Sequence, residues 1–191
     1  GLNLPPYGTS LNRTCVLFLD GSYFLSKNVS VSFEWRPDKI IRKATVDGIE
    51  YRTDTMMMLK QYAVMIRIRA RNKSGVDVQK NLKFQFNGGI THNTKDWANW
   101  IPPMEENNKQ SIDETKGLFI HSSKDNKAHL LQSISGDIEN IDRFGIEKKL
   151  EIPSGGETEF YYFAILDENI SKGIQFFEEL NGKKEILLDE N

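Results

Sequence analysis

The sequence is poor in several features that mark particular protein classes. Cys15 is the only cysteine among 191 residues, so neither an internal disulfide framework nor a cysteine-based zinc cluster can form. No apolar run reaches the roughly 18 residues of a membrane span, and the first residues lack a signal peptide's basic and apolar regions. We therefore expect no membrane span and no signal peptide, and the compartment stays open between bacterial cytoplasm and export.

The chain also lacks a large excess of positive or negative charge. The chain carries 25 basic and 27 acidic side chains, for a formal net charge of -2. Such a balance gives no global field that would favour nucleic acid. Arg67, Arg69 and Arg71 do form a basic stripe on one face of a predicted strand, but pairing with acids on a neighbouring strand is the favoured interpretation. We expect no nucleic-acid partner.

Residue patterns typical of metal, cofactor or catalytic sites are missing too. The three histidines, His92, His121 and His129, show no local ligand spacing, so we expect no metal site and no cofactor. Five carboxylates lie between residues 91 and 116, but closeness in sequence does not give the opposed geometry that glycosidases need. A solvated loop is the favoured interpretation, and no catalytic residue is expected. The five carboxylates are Asp96, Glu105, Glu106, Asp113 and Glu114.

Short alternating runs separated by turn residues are what the chain does contain. Asp47-Gly48 joins two Ile- and Val-rich runs as a two-residue hairpin turn would. The run 29–35 alternates as a half-buried strand does, and Asn72 to Gly75 is expected to join an antiparallel pair. This pattern predicts a mainly β, antiparallel two-sheet supersandwich of roughly 10–12 strands over residues 1–166. The predicted strands are 29–35, 39–46, 49–52, 62–72, 81–87, 117–121, 128–132, 145–152 and 158–166.

Residues 91–116 interrupt the strand pattern and form a predicted long loop. The loop carries Trp97 and Trp100 beside Asp96 and Asn99. Loops of this length are often functional, and exposed indoles flanked by carboxylates and amides suit sugar rings. The open alternative is that both indoles pin the loop to the sandwich. These four residues are the candidate carbohydrate-binding site.

A helix is predicted at the C-terminal end, over residues 168–181. Ile170, Ile174, Phe177 and Leu180 are spaced by four, three and three, which places them on one face. An apolar face needs a partner surface, so we expect these four residues to pack between domains or to support a dimer. Residues 167–191 are accordingly predicted to be a linker helix leading to a downstream domain.

Four segments, taken in order, resemble a known module. They are Ser30–Asp38 (SVSFEWRPD), Val46–Tyr51 (VDGIEY), Tyr62–Gly75 (YAVMIRIRARNKSG) and Leu82–Phe86 (LKFQF). The resemblance is to the N-terminal β-sandwich domain of bacterial glycoside hydrolases with an alpha/alpha six-hairpin barrel, as in glucoamylase-like, trehalase-like and debranching-type enzymes. In that family the sandwich ends in a linker helix, and residues 158–188 are similar to that passage.

The resemblance implies a non-catalytic role for this chain. The catalytic carboxylates of that family lie in the barrel, so the sandwich would pack on the barrel and lend the Trp97 and Trp100 loop to the substrate cleft. The implied partners are a downstream catalytic domain and an oligo- or polysaccharide. Two alternatives stay open: a stand-alone carbohydrate-binding module, and a structural or adhesion domain of a larger surface protein.

Overall fold

Two antiparallel sheets stacked face to face form the body of the protein, and one helix covers the outer face of the larger sheet. The computed structural model describes residues 2–4, 7–9, 14–24, 29–58, 61–86, 90–92 and 108–184. This part of the chain contains sixteen strands, eleven of which have four or more residues. The strands are β1 (Asn3–Leu4), β2 (Tyr7–Thr9), β3 (Val16–Leu19), β4 (Ser22–Tyr23), β5 (Val31–Trp35), β6 (Ile40–Val46), β7 (Ile49–Met57), β8 (Ala63–Asn72), β9 (Val78–Gln85), β10 (Ile90–His92), β11 (Lys109–Asp113), β12 (Leu118–Ser122), β13 (His129–Ile134), β14 (Asn140–Asp142), β15 (Gly145–Ile152) and β16 (Glu157–Asp167).

The larger sheet has eight strands in the order β11-β12-β13-β16-β8-β7-β6-β5, and the smaller has five in the order β14-β15-β9-β3-β4. Every pairing in both sheets is antiparallel. A further three-stranded sheet runs in the order β1-β2-β10. The predicted class, a mainly β two-sheet sandwich with a C-terminal helix, is confirmed.

The core between the sheets follows from alternation along the strands. Leu82 and Phe84 of β9 point inward and are buried, while Lys83 between them points outward. On the larger sheet Phe160 and Tyr162 of β16 face them, with the Phe84 ring 6.0 Å from Phe160 and 6.2 Å from Tyr162. Burying side chains of this size contributes about 1.5–3 kcal/mol each. In β9, alternation therefore determines which face of the strand is the core face.

Two tight turns have the conformation that their sequences predict. At Asp47-Gly48, between β6 and β7, the φ angles are 50° and 76°, and at Asp20-Gly21, between β3 and β4, they are 49° and 76°. Positive φ at both central residues matches the right-handed twist of the strands, and glycine adopts it without a steric penalty. Both turns close hairpins.

Helix α1 (Ile170–Lys183) forms the third layer. Asn169 is its N-cap, and the side-chain oxygen of Asn169 accepts a hydrogen bond from the Lys172 amide at 3.1 Å. Its apolar face lies on the outer face of the larger sheet, where Phe177 and Leu180 are 5% and 2% exposed. Gly173 permits this close approach, because a Cβ there would lie 2.9 Å from Leu131 Cδ1. The predicted helix is confirmed and begins and ends two residues later than predicted.

The prediction of a half-buried strand at 29–35 is wrong in its burial. Strand β5 forms, but all five of its residues are exposed, with Phe33 at 60% and Trp35 at 75%. The reason is position: β5 is the outermost strand of the larger sheet, and none of its residues belongs to either core cluster. Alternation shows that a strand has one apolar face and one polar face. It does not show that another element covers the apolar face.

The expected pairing of the strands around Asn72 to Gly75 is also wrong. Strand β8 pairs with β7 and β16, whereas β9 pairs with β15 and β3 in the other sheet. Both edges of β8 are already occupied, so the chain crosses to the second sheet after Asn72. The side-chain amide of Asn72 supports this crossing by donating to the carbonyls of Val76 and Ile152, at 2.6 and 3.0 Å.

The predicted loop 91–116 is shorter than expected. Lys109–Asp113 is a strand, β11, which pairs with β12 at one edge of the larger sheet, and residues 91 and 92 belong to β10. Polar composition hid β11, because an edge strand can expose most of its side chains. Residues 93–107 lie outside the described part of the chain.

Candidate functional site

The predicted sugar-binding residues Trp97, Trp100, Asp96 and Asn99 lie outside the described residues. The structure does describe both flanks of their segment. The side-chain oxygen of Asn108 accepts a hydrogen bond from the Ile90 amide at 2.8 Å, and its side-chain nitrogen donates to the Ile90 carbonyl at 3.1 Å. This pair of bonds holds the two flanks together. A sugar contact by the two indoles stays a prediction.

A different surface, the outer face of the five-stranded sheet, brings aromatic and polar side chains together. Antiparallel register places Tyr23 opposite Phe18, Phe18 opposite Lys83, Lys83 opposite Glu147, and Glu147 opposite Asn140. Directly opposed residues point to the same face. The five side chains therefore form one row across all five strands, on the face away from the core.

A cleft of about 450 Å³ lies on this face, and we call it the outer cleft. Its walls come from β3, the turn after β3, β9, β15 and the segment before β14. Such a volume lies within the range of small-ligand sites. The lining residues are Phe18, Gly21, Asn81, Leu82, Lys83, Gln85, Glu139, Glu147, Lys148 and Lys149.

Aromatic rings stand at one end of the row. The ring centroids of Phe18 and Tyr23 are 5.9 Å apart, with an angle of 52° between the rings. Tyr23 is 40% exposed and Phe18 is half-buried, so both rings present surface to solvent. Gly21, in the turn between their strands, adds no side chain that would shield them: a Cβ there would meet nothing within 4 Å. The hairpin β3-β4 is thus an accessible aromatic ledge beside the outer cleft.

An ion pair occupies the middle of the row. Lys83 Nζ donates to Glu147 Oε1 at 2.7 Å and lies 3.9 Å from Asp142 Oδ2. The hydrogen bond to Glu147 raises the pKa of Lys83 above its ordinary value, although burial opposes the rise. Lys149 is paired in turn with Glu151 at 2.8 Å. Lys148, the third lysine of the lining, donates to the Asp137 carbonyl at 2.9 Å. Each lysine that lines the cleft therefore already has an oxygen partner.

Two members of the arginine stripe, Arg67 and Arg69, pair with acids on neighbouring strands, as the sequence interpretation favoured. Asp54 of β7 lies opposite Arg67 of β8 and is fully buried. Its carboxylate accepts hydrogen bonds from Arg52, Arg67 and Arg69 at distances between 2.5 and 3.3 Å. Glu159 of β16 lies 4.0 Å from both Arg67 and Arg69. Arg52, Arg67 and Arg69 therefore share one buried carboxylate as a counter-charge while remaining partly exposed.

The four apolar helix residues predicted to pack between domains lie against this chain's own larger sheet. Phe177 and Leu180 are buried there, and Ile170 and Ile174 are partly buried against the same cluster. The Phe177 ring meets Phe163 of β16 edge to face, at 5.5 Å between centroids. Contact of this helix with a further domain, or with a second copy, stays a prediction.

Neither metal-binding side chains nor a membrane span stand out in the part of the chain that the structure describes. No group of three or more His, Cys, Asp or Glu side chains there is arranged to hold a metal ion. His121 and His129 are buried in neighbouring strands of the larger sheet, where Gln110 and Ser122 contact them at 3.2 and 2.8 Å. Among the described helices, none is long and apolar enough to cross a membrane.

Sequence reasoning missed the residues of the outer cleft. Phe18 and Tyr23 sit symmetrically about the Asp20-Gly21 turn, so the hairpin signal was sufficient to pair them on one face. Nothing in the sequence places Lys83 and Glu147 beside them, because β15 follows β9 by some sixty residues and their pairing is long-range. Local turn chemistry could have found the aromatic pair but not the ion pair.

Comparison with known proteins rests on structure alone, since no protein-family model and no curated protein matches the chain. A putative kojibiose phosphorylase from human microbiome shares the fold, with a TM-score of 0.56 and 10% identity over 92% of this chain and 29% of that chain. The heparan sulfate lyase HepC from Pedobacter heparinus and a mutant of it give a TM-score of 0.45 and 11% identity, over 81% of this chain and 24% of the lyase. These structural neighbours are carbohydrate-active enzymes, and this chain spans less than a third of each.

Proposed function

We propose that this chain is a non-catalytic N-terminal sandwich domain of a carbohydrate-active enzyme, most simply a glycoside hydrolase. The observation that carries the proposal is the fold shared with the putative kojibiose phosphorylase, which includes 92% of this chain but 29% of that one. A sandwich that is almost fully matched inside a much longer enzyme is what an accessory domain of such an enzyme would look like.

The end of the sandwich supports the proposed connection to a catalytic domain. Strand β16 runs through the middle of the larger sheet and is followed within three residues by helix α1. In the proposed arrangement this helix directs the chain onward to the catalytic domain, and the partly exposed Ile170 and Ile174 contribute to the contact. The segment with Trp97 and Trp100 then lines the rim of the substrate cleft.

The native protein provides the test. An antibody raised against this chain would detect the protein in its source cells, and the intact mass of that protein would be compared with 22.0 kDa. We expect a species several times larger, and we expect the immunopurified species to cleave α- or β-linked neutral oligosaccharides by hydrolysis or phosphorolysis. The recombinant 191-residue chain is the matched control and should show no activity.

Two results would contradict the proposal. A native species of 22.0 kDa would exclude an attached catalytic domain and would favour a stand-alone carbohydrate-binding module. A larger species with no activity on any oligosaccharide would favour the structural or adhesion role. The double substitution of Trp97 and Trp100 to alanine in the larger species tests the loop separately: a raised KM with an unchanged kcat is the expected result.

A further inference from the structure

We propose that the outer cleft binds a neutral oligosaccharide, with Phe18 and Tyr23 as its stacking platform and Lys83 and Glu147 as its central hydrogen-bonding pair. The ligand class rests on the carbohydrate role proposed above. The position of the site does not depend on that role, because the outer cleft lies on the five-stranded sheet, whereas helix α1 packs on the larger sheet.

The shape of the surface suits an extended ligand. The row from Tyr23 to Asn140 crosses five strands. Neighbouring strands lie about 4.8 Å apart, so the row extends over roughly 19 Å. A chain of several sugar units fits that length, whereas a single sugar ring would use only part of it. The sheet supplies a rigid base, because strands β15, β9 and β3 are hydrogen-bonded side by side.

The aromatic ledge supplies stacking for a sugar ring. Phe18 and Tyr23 are tilted by 52° and both present surface to solvent, which gives a sugar ring aromatic surface to pack against. Sugar rings carry axial C–H groups on one side, which pack on aromatic faces while their hydroxyls stay in water. An aromatic pair of this kind, left partly exposed on a sheet face, therefore has a direct use in sugar binding.

The polar groups beside the ledge match hydroxyls better than they match ions. Sugar hydroxyls both donate and accept, and the paired Lys83 and Glu147 offer one strong donor and one strong acceptor within 2.7 Å of each other. The side-chain amides of Asn81 and Gln85 add groups of both kinds. The three lysines of the lining are already bonded, Lys83 to Glu147, Lys149 to Glu151 and Lys148 to a backbone carbonyl. An anionic ligand would have to displace these partners and would also meet Glu147, so the arrangement favours a neutral ligand.

Amide chemical shifts in the 191-residue chain would test the site. The ¹⁵N-labelled protein would be titrated with maltohexaose, cellohexaose and mannohexaose, with a chondroitin sulfate hexasaccharide as the anionic control. We expect at least one neutral hexasaccharide to shift amides of residues 16–23, 81–85 and 145–149, and the sulfated one to leave them in place. Substituting Phe18 and Tyr23 together to alanine should raise Kd about tenfold or more, since each stacked ring contributes around 1 kcal/mol.

Matched variants separate binding from folding. Tyr23→Ala alone changes an exposed residue at the end of a short strand, so it keeps the test valid if the double variant unfolds. Glu147→Gln should weaken binding about tenfold while the thermal midpoint stays within a few degrees. The control is Phe33→Ser with Trp35→Ser, which removes two exposed aromatics from the other sheet and should leave Kd unchanged.

Each outcome has a defined meaning. Shifts confined to other surfaces, or binding that is unchanged in Tyr23→Ala and Glu147→Gln, would overturn the site while supporting the carbohydrate role. No shift with any neutral hexasaccharide would also overturn the site, and the proposed enzyme role would then be decided by the native mass and activity. Equal binding of the sulfated hexasaccharide would overturn the assignment to a neutral ligand.

Discussion

The carboxylate of Asp54 is fully buried, and the guanidinium of Arg67 on the neighbouring strand donates two hydrogen bonds to it, from Nε at 3.1 Å and Nη2 at 2.5 Å. Arg52 donates a third, to the other carboxylate oxygen, at 2.9 Å. The arginines remain partly exposed, so their stems cover the acid while their charges keep some contact with water. The negative charge of Asp54 therefore offsets the repulsion among the arginines that surround it on this face of the sheet.

Replacing Asp54 tests this arrangement. In Asp54→Asn the arginines lose their shared counter-charge, and removing one partner of a buried pair is strongly destabilising. We expect the free energy of unfolding, measured by urea titration, to fall by about 3 kcal/mol. The control is Glu50→Gln on the same strand, which breaks an exposed pair with Lys73 and should change stability by less than about 1 kcal/mol. Equal effects of the two changes would contradict the central role of Asp54.

As pH falls, the first loss of folding stability should come from the buried histidines. Burial lowers the pKa of His121 from 6.5 to about 4, and its Nδ1 atom has no hydrogen-bond partner among the described residues. Between pH 6.5 and 4 the unfolded chain therefore binds more protons than the folded one, so stability falls as pH falls, by up to about 1.4 kcal/mol per unit. His121→Gln should flatten this part of the curve. Part of the loss will remain, because burial also lowers the pKa of His129.

A second loss of folding stability should occur at lower pH, where Asp54 becomes protonated. Burial alone would raise the pKa of this acid, but the hydrogen bonds from Arg67 and Arg52 more than offset burial and hold it below its ordinary 3.8. Its contribution is therefore complete above about pH 4 and disappears as pH falls through the folded-state pKa. Asp54→Asn should flatten this second part and leave the first unchanged. A single transition shared by both variants would contradict the assignment.

The docking of helix α1 gives a further prediction. Phe177 is 5% exposed and packs edge to face on Phe163, so Phe177→Ala leaves a cavity between helix and sheet. We expect the free energy of unfolding to fall by about 3–5 kcal/mol and the helix amides to exchange faster with solvent. Gln175→Ala, on the exposed face of the same helix, is the control and should change stability by less than about 0.5 kcal/mol. If Phe177→Ala is equally silent, the helix face is not held by this sheet.

Short-range sequence patterns were enough to predict much of the fold. Features that depend on contacts between distant residues could not be predicted from them. The turns at Asp20-Gly21 and Asp47-Gly48 and the helix after Asn169 could be predicted, because their conformations depend on a few neighbouring residues. The sheet in which β9 lies could not, since it depends on which edges of β8 are already occupied. The same holds for the candidate site. The pairing of Phe18 with Tyr23 depends on a local turn and is predictable, whereas their alignment with Glu147 depends on long-range strand pairing and is not.

Strand β5 leads to the last prediction, which concerns self-association. Among the described strands β5 is an edge strand whose one partner is β6, and it exposes Val31, Phe33 and Trp35 on one face. An exposed apolar edge strand offers unpaired backbone groups beside an apolar surface, which favours pairing with another chain. Helix α1 is a weaker candidate for self-association, because its central apolar residues are already buried.

Sedimentation velocity over a range of concentrations would measure this association. We expect the 191-residue chain to form dimers as concentration rises, and we expect Phe33→Ser with Trp35→Ser to shift the monomer–dimer equilibrium at least tenfold towards monomer. Phe144→Ser removes an aromatic residue of comparable exposure, 47%, in the turn before β15, and should leave the equilibrium unchanged. A monomeric parent chain, or dimers that survive the double substitution, would show that the apolar face of β5 does not drive association. A loss of dimer only in the double variant would identify β5 as the contact, since fold and net charge are the same in all three proteins.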